Sequence, residues 1–129
     1  VPSSLPELRA LDQAIARLPA AVTEALKGEA RASADRIAAH AQALLRSQTH
    51  GTGATAGAIR VLDESDRRQY VVNAPGTADK PANLSMWLEY GTRFMAARPF
   101  MRPAGAAETD RYRANMTAAA ERTAARLLE

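Results

Sequence analysis

The chain has 129 residues and a net charge of +3, with nearly half its residues hydrophobic, only six aromatic and none cysteine. That length suits one domain with a real core, and the missing thiols exclude disulfides, thiolate nucleophiles and cysteine metal sites. Alanine makes up about half of the hydrophobic residues, so the core is thin, and burial against neighbouring copies is expected to supplement it.

The basic residues are spread among acids with no block of like charge, which gives a general attraction to phosphate but does not mark a dedicated DNA reader. The N-terminal stretch lacks a basic region followed by an apolar one, and no apolar run reaches about 18 residues. Neither an export signal nor a membrane span is expected.

Taken in chain order, Ser3 or Ser4 can cap a first helix that carries Leu8, Leu11, Ile15 and Leu18 on one face and ends at about Leu18, because Pro19 breaks or restarts it. From Ala20 the stripe Val22, Leu26, Ala30, Ile37, Ala41 and Leu44 predicts a second helix of about 28 residues, roughly 42 Å long. Ser33 is its small polar interruption, and Gly28 a place to bend.

The stretch "THGTGATAGA" predicts a flexible loop. "AIRVLDE" and "RQYVVNA", separated by "SDR", predict an antiparallel hairpin within 58–74, and a second loop covers 73–84. "LSMWLEY" predicts two helical turns that Gly91 stops in a left-handed conformation. Pro99 and Pro103 then force an extended link, since each disfavours helix at the residue before it. A last helix is expected over 103–128 with Tyr112, Met116, Ala119, Ala120, Ala124 and Leu127 facing inward. The sum is a single α+β domain: two long helices and shorter helical segments on a small antiparallel sheet.

Candidate chemistry is sparse. Gly51, Gly53 and Gly57 resemble a phosphate-cradling loop only in composition, because they follow a helix and lead into a strand, and no Gly-Lys-Ser/Thr closes them. His40 and His50 stand ten apart without the acid that a zinc helix places between its ligands. Asp63, Glu64 and Asp66 belong to a turn, and there is no Gly-x-Ser-x-Gly nucleophile elbow. No enzyme activity, cofactor or metal site is expected. Arg60, Arg67 and Arg68 on the hairpin read either as a solvated face or as contacts to DNA phosphates or a partner protein, as arginines suit both.

The densest stretch is "WLEYGTRFMAARPFMRPA". Its run Glu89, Tyr90, Gly91, Thr92, then Pro99, Phe100, Met101, Arg102, Pro103 and Ala104 closely resembles the signature of the small head-tail joining proteins of lambdoid-type long-tailed bacteriophages, called neck or tail-completion proteins. Upstream, Gly57 and Ile59 fit that family's entry to its first strand, while its usual leucine and serine are missing. The resemblance implies a non-enzymatic virion protein of a phage or prophage, assembled in the bacterial host cytoplasm. It would be placed at the head-tail junction as a ring, commonly of six subunits, with connector, neck and tail proteins as partners and DNA passing through without sequence specificity. No membrane is implied. A head-closure connector of the same neck, or a small basic DNA-binding protein, is the alternative.

The residues themselves leave two uses of this stretch open. In one, Trp87, Tyr90 and Phe100 form the main aromatic core and Pro103 starts the last helix. In the other, Phe94, Met95 and the arginines Arg93, Arg98 and Arg102 face an adjacent subunit, as aromatic, Met and Arg residues tend to do in interfaces.

Overall fold

The computed structural model describes residues 4–48, 54–67, 69–75 and 83–129. The fold is α+β. A long helix α1 (Leu5–Gln48), a single turn α2 (Ala54–Gly57), strands β1 (Arg60–Glu64) and β2 (Gln69–Asn73), a short helix α3 (Asn83–Tyr90) and a long helix α4 (Met101–Leu128) follow in that order.

The expected break at Pro19 does not occur, and α1 is one helix of 44 residues, about 66 Å at 1.5 Å per residue. Pro19 and Ile15, four residues before it, both lie on the exposed side, where water can satisfy the carbonyl that loses its donor. The Thr23 hydroxyl donates to the Pro19 carbonyl at 2.8 Å, within the turn that follows. At the helix start the Ser4 N–H donates to Glu7 Oε2 (3.1 Å) while the Glu7 N–H donates to Ser4 Oγ (3.3 Å), a reciprocal capping box that satisfies two orphan donors.

β1 and β2 pair antiparallel with Arg60 opposite Asn73, Leu62 opposite Val71 and Glu64 opposite Gln69. A 3-10 turn at Ser65–Arg67 begins the connection between them. A two-stranded ribbon is marginal alone, and this one is propped by α1. Val61 and Val72 pack against the core, and Gln42 Nε2 donates to the Ile59 carbonyl at the entry to β1 (3.0 Å). Of the expected loops, 54–57 form the helical turn α2, with Ala56 buried in the core. Positions 49–53 and 76–82, and with them His50, Gly51 and Gly53, lie outside the described residues.

α4 runs antiparallel to α1. Glu108 meets Ser33 and Arg36, and Arg122, farther along α4, reaches back to Glu29 at 3.7 Å. Small side chains let the two helices approach: Ala34, Ala38, Ala41 and Ala104 are buried, as are Ala119 and Thr123. The core gathers where α1 ends and α4 begins, around Leu45, Phe100, Leu88 and Ile59. Phe100 and Leu45 are its largest fully buried side chains.

Candidate interaction site

The site is built by the segment from α3 to the first turn of α4. α3 has one inward edge, where Ser85, Leu88 and Glu89 are buried, and an outward one carrying Met86, Trp87 and Tyr90. Gly91 ends the helix at φ +77°, its N–H donating to the Trp87 carbonyl at 2.7 Å. A Cβ there would sit 2.8 Å from the Ala97 nitrogen and 3.0 Å from the Met95 oxygen, so both the left-handed φ and the close backbone require glycine.

The chain then closes a small loop. Thr92 and Met95 exchange backbone hydrogen bonds at 2.8 and 3.3 Å, and the Phe94 N–H donates to Thr92 Oγ1 at 3.2 Å. Phe94 projects from this loop 89% exposed, with the Arg93 guanidinium 5.2 Å from its ring centre. Met95, its neighbour, turns back against the core. Two bonds fix the return of the chain: the Arg98 N–H donates to the Leu88 carbonyl (2.6 Å) and Arg98 Nη1 to the Gln48 carbonyl at the end of α1 (3.1 Å).

At the start of α4 the cap comes from far upstream. Phe100 holds the N-cap position without a side-chain cap of its own. The buried Glu89 carboxylate takes that role: Oε2 accepts from the Phe100 and Met101 N–H groups (2.9 and 2.8 Å) and Oε1 from the Arg102 N–H (2.8 Å). Pro103 has no N–H to satisfy, and the Ala104 N–H already bonds the Phe100 carbonyl. Every orphan donor of the first turn is therefore met or absent, and a carboxylate lies at the positive end of the helix dipole. Burial works against the Glu89 charge, but the hydrogen bonds from Phe100, Met101 and Arg102 outweigh it and hold its pKa below the usual carboxylate value. Arg102 adds Nε to Oε1 (3.0 Å) and Nη2 to the Glu89 carbonyl (2.9 Å), while stacking over Tyr90 at 4.8 Å.

Three expectations need correction. Phe100 alone of the expected aromatic trio is core; Trp87 is 41% and Tyr90 63% exposed, because capping α4 turns the Glu89 edge of α3 inward and the Tyr90 edge outward. α4 starts at Met101 rather than Pro103, since Glu89 supplies acceptors for two N–H groups that the sequence leaves without an evident partner. Tyr112 is not an inward residue but borders a groove. The arm arginines Arg93, Arg98 and Arg102 are all exposed, as are Arg60 at the start of β1 and Arg67, which pairs with Glu64 at 3.6 Å. Arg68 lies outside the described residues.

A second buried carboxylate went unnoticed in the sequence. Glu108 Oε1 accepts from Ser33 Oγ (2.9 Å), Arg36 Nε (2.8 Å) and Arg36 Nη2 (2.6 Å), fixing the register of α4 on α1. The Arg36 hydrogen bond outweighs burial and lowers the Glu108 pKa, and the same bond raises that of Arg36. The only available hint was Ser33, a polar residue in an otherwise apolar stripe.

Among the described residues no three His, Asp or Glu side chains converge as a metal site, and no helix is long and apolar enough to cross a membrane. Compared with models of known families, with characterised proteins and with solved structures, the chain finds no match.

Proposed function

We propose that this protein is a structural joining subunit of a phage or prophage virion, a neck or tail-completion protein that assembles as a ring around the DNA channel at the head-tail junction. The observation carrying this reading is that the signature residues work as one device. Glu89 caps α4, Gly91 makes the turn, Thr92 closes the loop, Phe100 anchors it in the core and Pro103 occupies a helical position that needs no donor. What the device displays is Phe94 with the Arg93 guanidinium beside its ring, an exposed aromatic next to a cation on a backbone held at both ends. Such a pre-ordered loop suits binding to another protein without a large ordering cost.

The role is geometric rather than catalytic, and the exposed arginines need only tolerate or attract passing phosphate. Negative-stain microscopy combined with light scattering tests the reading. Closed rings of uniform diameter are expected. A strict monomer at about millimolar concentration, or salt-sensitive duplex binding by a monomer, would turn the assignment toward a small DNA-binding protein.

A further inference from the structure

α1 outruns its partner helix. α4 ends at Leu128, about 9 Å along the helix beyond Arg122, whose partner on α1 is Glu29, and Ala14 is the most N-terminal buried residue of α1. The turns before it stand clear, yet they are capped by the Ser4–Glu7 box and carry an apolar stripe: Leu5 is 61%, Leu8 50% and Ile15 52% exposed. Covering these three side chains would remove their exposed apolar surface from water, which favours association.

The same molecule has an unfilled groove of about 690 Å³. α1 forms its floor with Leu26, Ala30 and Ile37, β2 one wall with Tyr70 and Val72, and α4 the other with Tyr112 and Met116. Along α1 the lining runs from Thr23 to Ile37, about 21 Å of helix, and the stripe from Leu5 to Ile15 spans about 15 Å. The two cannot meet within one chain, because the groove's floor is the continuation of the very helix that carries the stripe.

We propose that the groove receives the exposed N-terminal turns of α1 from a second copy of this chain. The charges agree with this occupant. Asp12 shares the arc of Leu5, Leu8 and Ile15 by its helical spacing, while Lys27 lines the groove and Arg31 lies over Tyr70 at its wall, each held only in an exposed intrahelical pair, with Glu24 and Asp35, that contributes little by itself. Donor and acceptor surfaces are different parts of the chain, so the contact can repeat head to tail from copy to copy, closing into a ring or running on as a filament, whereas reciprocal exchange between two copies would stop at a dimer. The inference deepens the ring reading and rests on it only for closure.

Mixing experiments with the full chain test the contact. Leu8→Glu/Ile15→Glu removes the stripe and leaves the groove; Tyr112→Glu/Met116→Glu does the reverse. Each variant alone is expected to be a monomer with near-wild-type helicity by circular dichroism, and an equimolar mixture is expected to give a 1:1 dimer that grows no further by sedimentation velocity. A stripe variant that assembles like wild type, or a folded pair that stays monomeric on mixing, overturns the proposal. If the groove variant does not fold, a charge exchange replaces it. Asp12→Lys and Lys27→Glu should each weaken assembly about three- to tenfold, and their combination should restore it; no restoration overturns the contact. Wild-type rings that survive every variant leave the ring reading standing without this contact, whereas 1:1 pairing without closed wild-type rings leaves the contact standing without the ring.

Discussion

The two ends of the helix pair are built in opposite ways. Where α1 finishes and α4 begins, Leu45, Phe100, Leu88 and Ile59 are almost wholly buried, and the first turn of α4 is capped by Glu89. At the far end, Leu5, Leu8, Ile15 and Leu128 are about half exposed or more, on helices that no sheet or loop among the described residues covers. Both ends carry large apolar side chains. What differs is whether a third element is present to bury them: α3 and the entry to β1 pack on one end, and no further described element packs on the other.

The closed end should fail first if Glu89 is removed. Glu89→Ala strips acceptors from three backbone N–H groups and from Arg102, and breaking a buried charged network of this kind costs about 3–5 kcal/mol. Most of that comes from the backbone bonds, because Arg102 is more than half exposed and its ion pair is screened. Urea unfolding of the purified chain reads the loss directly. A cost below about 1 kcal/mol, the usual value of an ordinary N-cap, would mean that the first turn of α4 finds other acceptors.

Glu108→Ala should cost nearly as much, about 3 kcal/mol, by leaving the partly buried Arg36 without its counter-ion. The two acids also set the response to pH. Both have folded pKa values below the ordinary carboxylate value, so below about pH 4.3 the unfolded chain binds protons that the folded one does not. The stability they contribute is complete at neutral pH, begins to fall near that ordinary value, and is lost as pH drops through the folded pKa. Melting temperatures between pH 7 and pH 3 should fall less steeply in Glu89→Gln and Glu108→Gln than in wild type. Parallel curves would mean that other carboxylates carry the acid sensitivity.

Parts of this architecture were legible before the structure. The hairpin follows from two β-branched runs about a short polar turn, and the stop at Gly91 from a glycine closing an apolar helical pattern. Spacing caught only part of the stripe on the first turns of α1: it grouped Leu8 and Ile15 with Leu11 and Leu18, which are partly buried, and left out the exposed Leu5. It could not say what lies opposite, because that depends on where α4 ends in space. The Glu89 cap was hidden for a similar reason: its acceptors and donors are 11 to 13 residues apart, beyond the reach of a local capping pattern. Once Glu89 is claimed by α4, the exposure of Tyr90 follows from helix geometry, against its size and hydrophobicity. Pro19 does not end α1 because it lies on the exposed side, where water can take the place of its lost hydrogen bond.

Gly91→Ala probes the turn that leads into the arm. The left-handed φ costs a non-glycine residue about 1–2 kcal/mol, and the added Cβ meets backbone at 2.8 Å, which cannot swing aside as a side-chain tip can. A loss of about 2–3 kcal/mol is expected, smaller than that of Glu89→Ala because the Glu89 bonds to α4 remain. The double variant distinguishes two arrangements. If turn and cap form one unit, the combined loss in urea unfolding falls short of the sum of the single losses, and if they are independent it equals the sum.

The smallest effect on stability should come from Phe94→Ala, and it bears most directly on the comparison of the two ends. Phe94 is the most exposed of the aromatic residues at the closed end, at 89% against 41% for Trp87 and 63% for Tyr90, in a loop whose ends are held by backbone hydrogen bonds. Nothing in the folded chain gains from its ring beyond the Arg93 stack, so the unfolding free energy should change by no more than about 0.5 kcal/mol. If the loop serves a partner, the same substitution should weaken incorporation into assembled particles, with the isolated chain unchanged in melting temperature and helicity. A loss of stability without a loss of assembly would instead make Phe94 part of the closed end, and the division between a finished and an unfinished end would then lie wholly along α1 and α4.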